Sequence, residues 1–195
     1  MRGLVFLVLL GGSGCTGEVP DRCNCGNNGN KPGSDDSGGG VDSDTGTDSE
    51  APAEPEVSIN EMMADNETAY TPDGENWPDW IELYNAGPGA VDLTGWGIID
   101  GAEAEPYVLP SGLTIAEGGF LLLFADGTTD GGAHLPFSLR STGEELLIFN
   151  PAGRRVDWVD FSDQLQDIST ARVVDGSDKE GWAYVPQGTP GRSNQ

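Results

Sequence analysis

Three groups of side chains in this chain have types and spacing that could carry chemistry. The first is rich in oxygen: Asp65, Asn66, Glu67, Asp73 and Asp79 fall within one polar stretch. Oxygen-only donors suit calcium, which takes about six to eight of them. The plainer reading is a solvated loop in which Asp and Asn cap turns. It is the one adopted, so no metal ligand is assigned. The second centres on His134, the single histidine, which lies between Ala133 and Leu135. A nucleophile–base pair needs hydrogen-bond reach and an orienting third group. No serine motif accompanies His134, which is read as a loop residue. The third is Glu61 with Glu82, each set among apolar neighbours. Paired carboxylates can hydrolyse glycosides. With 33 Asp and Glu in the chain, however, some pair reaches a suitable separation by chance. Glu61 and Glu82 are read as buried structural carboxylates accepting hydrogen bonds from backbone or from Arg172. Trp77, Trp80, Trp96, Trp158 and Trp182 could stack on sugars, but in a small β domain they are read first as core and interface filling. No catalytic residue, cofactor ligand or metal ligand is assigned.

The elements that must position these groups are strands. Asp79-Trp80-Ile81-Glu82-Leu83-Tyr84-Asn85 alternates, with Ile81 and Leu83 on one face and Trp80, Glu82 and Tyr84 on the other. Val57 to Met62 alternates before it, and the polar connection from Ala64 to Pro78 is long for a hairpin. Val91–Leu93, Trp96–Ile99 and Tyr107–Leu109 are short runs separated by Gly, Pro and Asp. Phe120-Leu121-Leu122-Leu123-Phe124 is apolar on both faces, which predicts a central, buried strand. Leu135–Leu139 alternates but contains Pro136, which suits an edge. Glu145–Phe149 and Arg155–Phe161 flank Asn150-Pro151-Ala152-Gly153 and read as a hairpin. Ser169 to Gln195 reads as irregular, around Val173-Val174 and Trp182-Ala183-Tyr184. No segment holds a helical period over the length a helix wants. Many short strands at about ten-residue spacing predict a sandwich or barrel.

The N-terminal third differs in kind. Met1-Arg2-Gly3 is a short positive head, Leu4 to Leu10 an apolar run, and Gly11-Gly12-Ser13-Gly14 leads to Cys15. That is the layout of a secretory signal, with an apolar run far short of the roughly 20 residues a bilayer span needs. The small residues before Cys15 resemble the lipobox of bacterial lipoproteins, although Gly12 stands where Leu is usual. The resemblance implies that Cys15 becomes the lipidated first residue of the mature chain. Residues 1–14 are then the signal peptide and 15–56 a lipid-anchored acidic linker. The linker is expected to be disordered, because its Gly, Asn, Ser, Thr, Asp, Glu and Pro cannot bury a core. Cys23 and Cys25 are read as an incidental pair, since a structural zinc site needs four ligands. Asp42, Asp44 and Asp48 lack the Gly and the distal Glu of a calcium loop. They are read as charge.

The formal net charge is −24, and residues 57–195 hold 23 acids and 6 bases, 23 − 6 = 17 negative charges. Such a surface repels the phosphates of nucleic acid and anionic lipid heads. It also lacks any Lys/Arg cluster, so nucleic acid is excluded as a partner. In order along the chain, Ile59-Asn60-Glu61-Met62-Met63-Ala64-Asp65-Asn66, Asp79–Asn85, Val91-Asp92-Leu93-Thr94-Gly95-Trp96 and Gly118-Gly119-Phe120-Leu121-Leu122 resemble the lamin tail domain. Ser169, Arg172, Asp175-Gly176, Trp182 and the closing Thr189-Pro190-Gly191-Arg192-Ser193-Asn194 carry the resemblance to the end of the chain. It implies an all-β, immunoglobulin-like β-sandwich over 57–195, used for binding or spacing and without catalytic residues or cofactors. Lamin tails bind DNA through basic surfaces, and that property does not transfer to so acidic a chain. The expected whole is an exported protein on the bacterial outer membrane or cell surface. It is held by a lipid and binds a surface protein or polysaccharide. A calcium-dependent adhesion or carbohydrate-binding module is the alternative, and an unrecognised hydrolase a more distant one.

Overall fold

The computed structural model describes residues 55–101 and 105–195. The expected signal peptide and lipidated Cys15, together with Cys23, Cys25 and the Asp42–Asp48 stretch, therefore lie outside the described residues. The strands are β1 (Val57–Met63), β2 (Asp79–Asn85), β3 (Val91–Asp92), β4 (Gly97–Asp100), β5 (Tyr107–Val108) and β6 (Thr114–Ile115), followed by β7 (Phe120–Ala125), β8 (Glu144–Phe149), β9 (Arg155–Phe161), β10 (Ile168–Arg172) and β11 (Trp182–Pro186). No helix occurs among the described residues. The strands belong to one compact unit that runs to Gln195.

Two antiparallel sheets form the sandwich, one in the order β11-β10-β1-β2-β7 and one in the order β5-β4-β8-β9, while β3 and β6 pair separately. The alternation read from the sequence decides which face is buried. Ile59, Met62, Ile81, Leu83 and Leu123 of the first sheet meet Ile98, Leu146, Ile148, Val159 and Phe161 of the second in one apolar cluster. Burying a Leu, Ile or Phe side chain contributes roughly 1.5–3 kcal/mol, so these rows are the main source of stability. The fold is thus the expected all-β, immunoglobulin-like sandwich.

Two expectations fail. Phe120–Phe124 is not central: among the described residues β7 ends the five-stranded sheet, with β2 as its one strand neighbour. Leu123 and Ala125 are buried, but Leu122 is half-buried on the outer face opposite Glu82. An apolar run reports that both faces are partly covered, not how many strands bond to its edges. The outer face of β7 is covered by aromatic contacts, Tyr84 on Phe120 at 4.9 Å and Tyr70 on Phe124 at 6.5 Å between ring centroids. Its edge is covered by the segment after it. Phe124 N donates to Ala133 O at 2.7 Å and Leu135 N to Phe124 O at 2.8 Å. The Leu135–Leu139 stretch thus lies along an edge, as expected, though through isolated bridges rather than as a strand.

The second failure is the C-terminal segment, which reads as irregular but supplies β10 and β11. β10 pairs with β1 through Glu61↔Ala171 and Met62↔Thr170. Its sequence, Ile168-Ser169-Thr170-Ala171-Arg172, lacks an apolar alternation because its neighbours are themselves polar: Ser169 and Arg172 are buried against carboxylates rather than aliphatic chains.

Candidate functional site

Three places bring together the side chains that could do chemistry. The first is the outer face of the five-stranded sheet. The β1–β2 register slips between Ile59 and Glu61, leaving Asn60 as an extra residue, and beyond it Glu61 lies directly opposite Glu82. Such a bulge re-aims side chains. Both carboxylates are fully buried. They are covered by the last residues of the chain. Glu61 accepts from Thr189 N at 2.9 Å and from Thr189 Oγ1 at 2.8 Å, and also from the Ser169 hydroxyl. Glu82 accepts from Gly191 N at 2.6 Å and from Asn60 Nδ2 at 3.2 Å. Asn60 Nδ2 also reaches Asp175 Oδ1 at 3.0 Å, and Asn194 N donates to the same atom at 3.1 Å. The tail enters over Gln187 and Gly188, both with positive φ. A Cβ on Gly188 would lie 2.9 Å from the Trp80 ring and 3.2 Å from Glu61 Oε1, so only glycine lets the backbone come this close. Burial pushes the Glu61 carboxyl upward and the Glu82 carboxyl up to about 7, in both cases against the hydrogen bonds they accept. The two groups are structural acceptors, as read from the sequence. Their donors are the tail backbone and short side chains, not Arg172.

Arg172 is instead the centre of a second cluster. Its Nε donates to Ile59 O at 2.6 Å and its Nη2 lies 2.9 Å from Asp157 Oδ2. Its Nη1 reaches Ser177 O at 3.1 Å and also Asp178. Asp157 Oδ2 in turn accepts from Ile59 N at 2.7 Å, the amide released where the bulge begins. Burial raises the Asp157 carboxyl above its ordinary range, and the Arg172 charge offsets part of that effect. The bulge thus sets the carboxylate pair on the outer face, and just before it Asp157 and Arg172 tie β9 to β1 across the sandwich.

The oxygen-rich stretch lines an open cleft of about 710 Å³ together with Asp126 and His134. Asn66, Asp73 and Asp79 are engaged within their own loop. Asn66 donates from Nδ2 to Tyr70 O and Pro78 O, both at 2.7 Å, and so closes the loop ends. Asp73 accepts from Glu75 N and Asn76 N, both at 2.8 Å, and these amides hold its carboxyl well below the usual range. Asp79 accepts from Asn66 N at 3.3 Å and is pushed up to about 6, chiefly by burial. Asp167, which sequence reading did not single out, clamps the same loop by accepting from Glu67 N, Thr68 N and Ala69 N. Among the described residues, no group of three or more His, Cys, Asp or Glu converges as a metal ion requires. His134 Nδ1 lies 2.6 Å from Asp126 Oδ2, and its ring rests on Phe124 at 5.6 Å. It sits in a loop, as expected.

The third place is a groove between β9, at the edge of one sheet, and β10–β11, at the edge of the other. Two open hollows of about 230 and 560 Å³ share Val159, Asp160 and Trp182. Tyr184 borders one and Trp158 the other. Trp158 is 46% exposed and Tyr184 56% exposed. The Arg155 guanidinium covers one side of Trp158 at 5.5 Å, and Arg172 stacks on Trp182 at 4.7 Å. The tryptophans therefore divide. Trp80 and Trp96 fill the interior as read, whereas Trp77 and Trp158 are exposed. Strand register alone could have separated them. Trp158 lies opposite Leu147, whose neighbours Leu146 and Ile148 face the core.

Residues 50–163 match the family model described as Lamin Tail Domain. The matched stretch ends after β9, so β10, β11 and the covering tail lie beyond it. No curated protein matches the chain.

Proposed function

The chain belongs to the lamin tail domain family, and from that premise we propose that its sandwich is a non-catalytic binding module, displayed at a bacterial cell surface on an acidic stalk from a lipid on Cys15. The observation that supports binding is the groove between β9 and β11. Solvent-facing aromatic rings there stand beside carboxylates. An exposed aromatic group of this kind marks an interaction surface more often than a catalytic one. Elsewhere several polar side chains are already occupied. Glu61 and Glu82 lie under the tail, and Asp73 and Asn66 hold their own loop. The anchor reading is supported by the order basic head, apolar run, small residues, Cys15.

Both parts are testable in the native cell. Cys15→Ser is expected to move the protein out of the membrane fraction, and unchanged partition would remove the anchor. For the binding module, the full chain is titrated against envelope protein and polysaccharide fractions. Trp158→Ala combined with Tyr184→Ala is expected to keep the melting temperature and to weaken binding at least about tenfold, a loss of about 1.4 kcal/mol. Equal binding by the variant would take the interface away from this groove.

A further inference from the structure

β11 is the last strand of the five-stranded sheet, and the phase of its ladder can be read. Val173 N donates to Gly181 O at 3.0 Å and Gln187 N to Asp167 O at 2.9 Å. Between these ends the partners are Arg172↔Trp182, Ala171↔Ala183, Thr170↔Tyr184, Ser169↔Val185 and Ile168↔Pro186. Hydrogen-bonded pairs alternate along an antiparallel ladder. The bonded pairs are therefore Ala171–Ala183 and Ser169–Val185. Trp182, Tyr184 and Pro186 turn their backbone groups away from β10, toward the open edge. Pro186 fits this phase, since the N–H it lacks would have pointed outward. Among the described residues, the N–H and C=O of Trp182 and Tyr184 thus form a short, unpaired edge. The side chains of the same two residues border the groove against β9.

An unpaired edge beside side-chain pockets is the geometry of strand addition. The charge selects the occupant. Asp160 borders both hollows of the groove and is exposed, Asp178 is paired with Arg172, Arg155 lies over Trp158, and residues 57–195 carry 23 − 6 = 17 negative charges. A second copy of this chain would bring the same charge to the edge and is repelled. The Arg172 stack on Trp182 and the Arg155 contact with Trp158 show that these rings accept cationic faces.

We infer that the groove takes an extended, basic peptide segment of a partner protein, which adds as a strand to the edge of β11 and places alternate side chains against Trp182, Tyr184 and Asp160. This rests on the reading of the sandwich as a binding module and names the partner class of that groove. Pro186 ends the pairing on one side, so the docked strand is short and the affinity modest.

The test uses the full chain and synthetic octapeptides of alternating lysine and valine, followed by tryptophan fluorescence and calorimetry. Three results are expected. The lysine–valine peptide binds, and weakens with salt. Its glutamate–valine counterpart does not bind. N-methylation of alternate amides on one edge of the peptide abolishes binding, whereas methylation of the other edge leaves it. Tyr184→Pro removes an outward N–H without touching a β10–β11 bond and is expected to weaken the peptide about tenfold. The two methylated peptides read the same backbone pairing without any change to the protein, should that variant fold poorly. Equal affinity for both methylated peptides, or equal binding of the acidic peptide, would overturn strand addition. Binding of a neutral oligosaccharide, sensitive to Trp158→Ala plus Tyr184→Ala and with no peptide binding, would overturn the peptide as occupant and keep the binding module. Failure of every probe together with envelope fractions would remove both.

Discussion

The outer face of the five-stranded sheet and the groove between β9 and β11 are built from the same materials. Each combines aromatic rings with carboxylates, and each lies outside the main core. On the outer face, Trp80 is fully buried and Glu61 and Glu82 accept from the closing segment of the chain. In the groove, Trp158 and Tyr184 face solvent, and no described segment covers them. The difference is the covering strip. A carboxylate beneath backbone N–H groups becomes a clamp, with its proton affinity raised by burial. A carboxylate beside an uncovered ring is available to another molecule. Residue type therefore says little about role here, and the course of residues 187–195 says a great deal.

That contrast can be broken most severely at Arg172, whose carbonyl accepts from Asn194 of the tail at 3.0 Å and whose guanidinium stacks on Trp182. Arg172→Ala leaves half-buried Asp157 without its cationic partner and removes that stack, and is expected to cost about 3 kcal/mol in denaturant unfolding, near the lower end for broken buried pairs. A loss below about 1 kcal/mol would mean that the pair is not what ties β9 to β1.

At the margin of the covered face, Leu123 and Leu122 are adjacent but point oppositely. Leu123→Ala is expected to cost about 2–5 kcal/mol. Half-buried Leu122 on the edge strand should cost less, of the order of 1 kcal/mol. Equal losses would restore β7 to the central position that its sequence suggests.

The covered carboxylates also predict a pH dependence. Glu82 is displaced from its ordinary 4.5 to about 7, Asp79 from 3.8 to about 6, and Glu61 in the same direction. Folding favours their protonated forms. Their contribution is therefore fully present below about pH 4 and is lost as pH rises through about 7. For Glu82 this is at most about 3.5 kcal/mol, at about 1.4 kcal/mol for each factor of ten in proton affinity. The melting temperature should fall from pH 5 to pH 8, and Glu82→Gln should flatten the fall. A rise over that range would show that the tail does not seal this face.

The smallest effect belongs to the open region. Trp158→Ala is expected to change stability by no more than about 0.5 kcal/mol, as at other surface positions. A larger loss would place Trp158 in the packed structure and weaken its assignment to a binding surface.

Alternation was enough to read β2 and to find β1, although the bulge at Asn60 breaks the period of two so that Ile59 and Met62 both face the core; β8 and β9 were read from the turn between them. The β8–β9 turn was legible from Asn150, whose Oδ1 accepts from Ala152 N and Arg154 N at 3.1 and 3.0 Å. The order of short motifs also identified the family. β10 was not legible, because its buried residues are polar and their stabilising partners, Glu61 and Asp157, lie about 100 residues earlier and 15 residues earlier respectively. The edge position of β7 was hidden for a related reason: hydrogen-bonded neighbours are a property of topology, and an apolar run reports only coverage. What the sequence alone determined is most of the strands before β10, the apolar rows they carry and the acidic composition, all of which follow from local pattern and composition. The tertiary structure decided which carboxylates are clamped, which tryptophans are open and which strand edge stays unpaired. Each of those depends on where a distant segment comes to rest, and no local pattern encodes that.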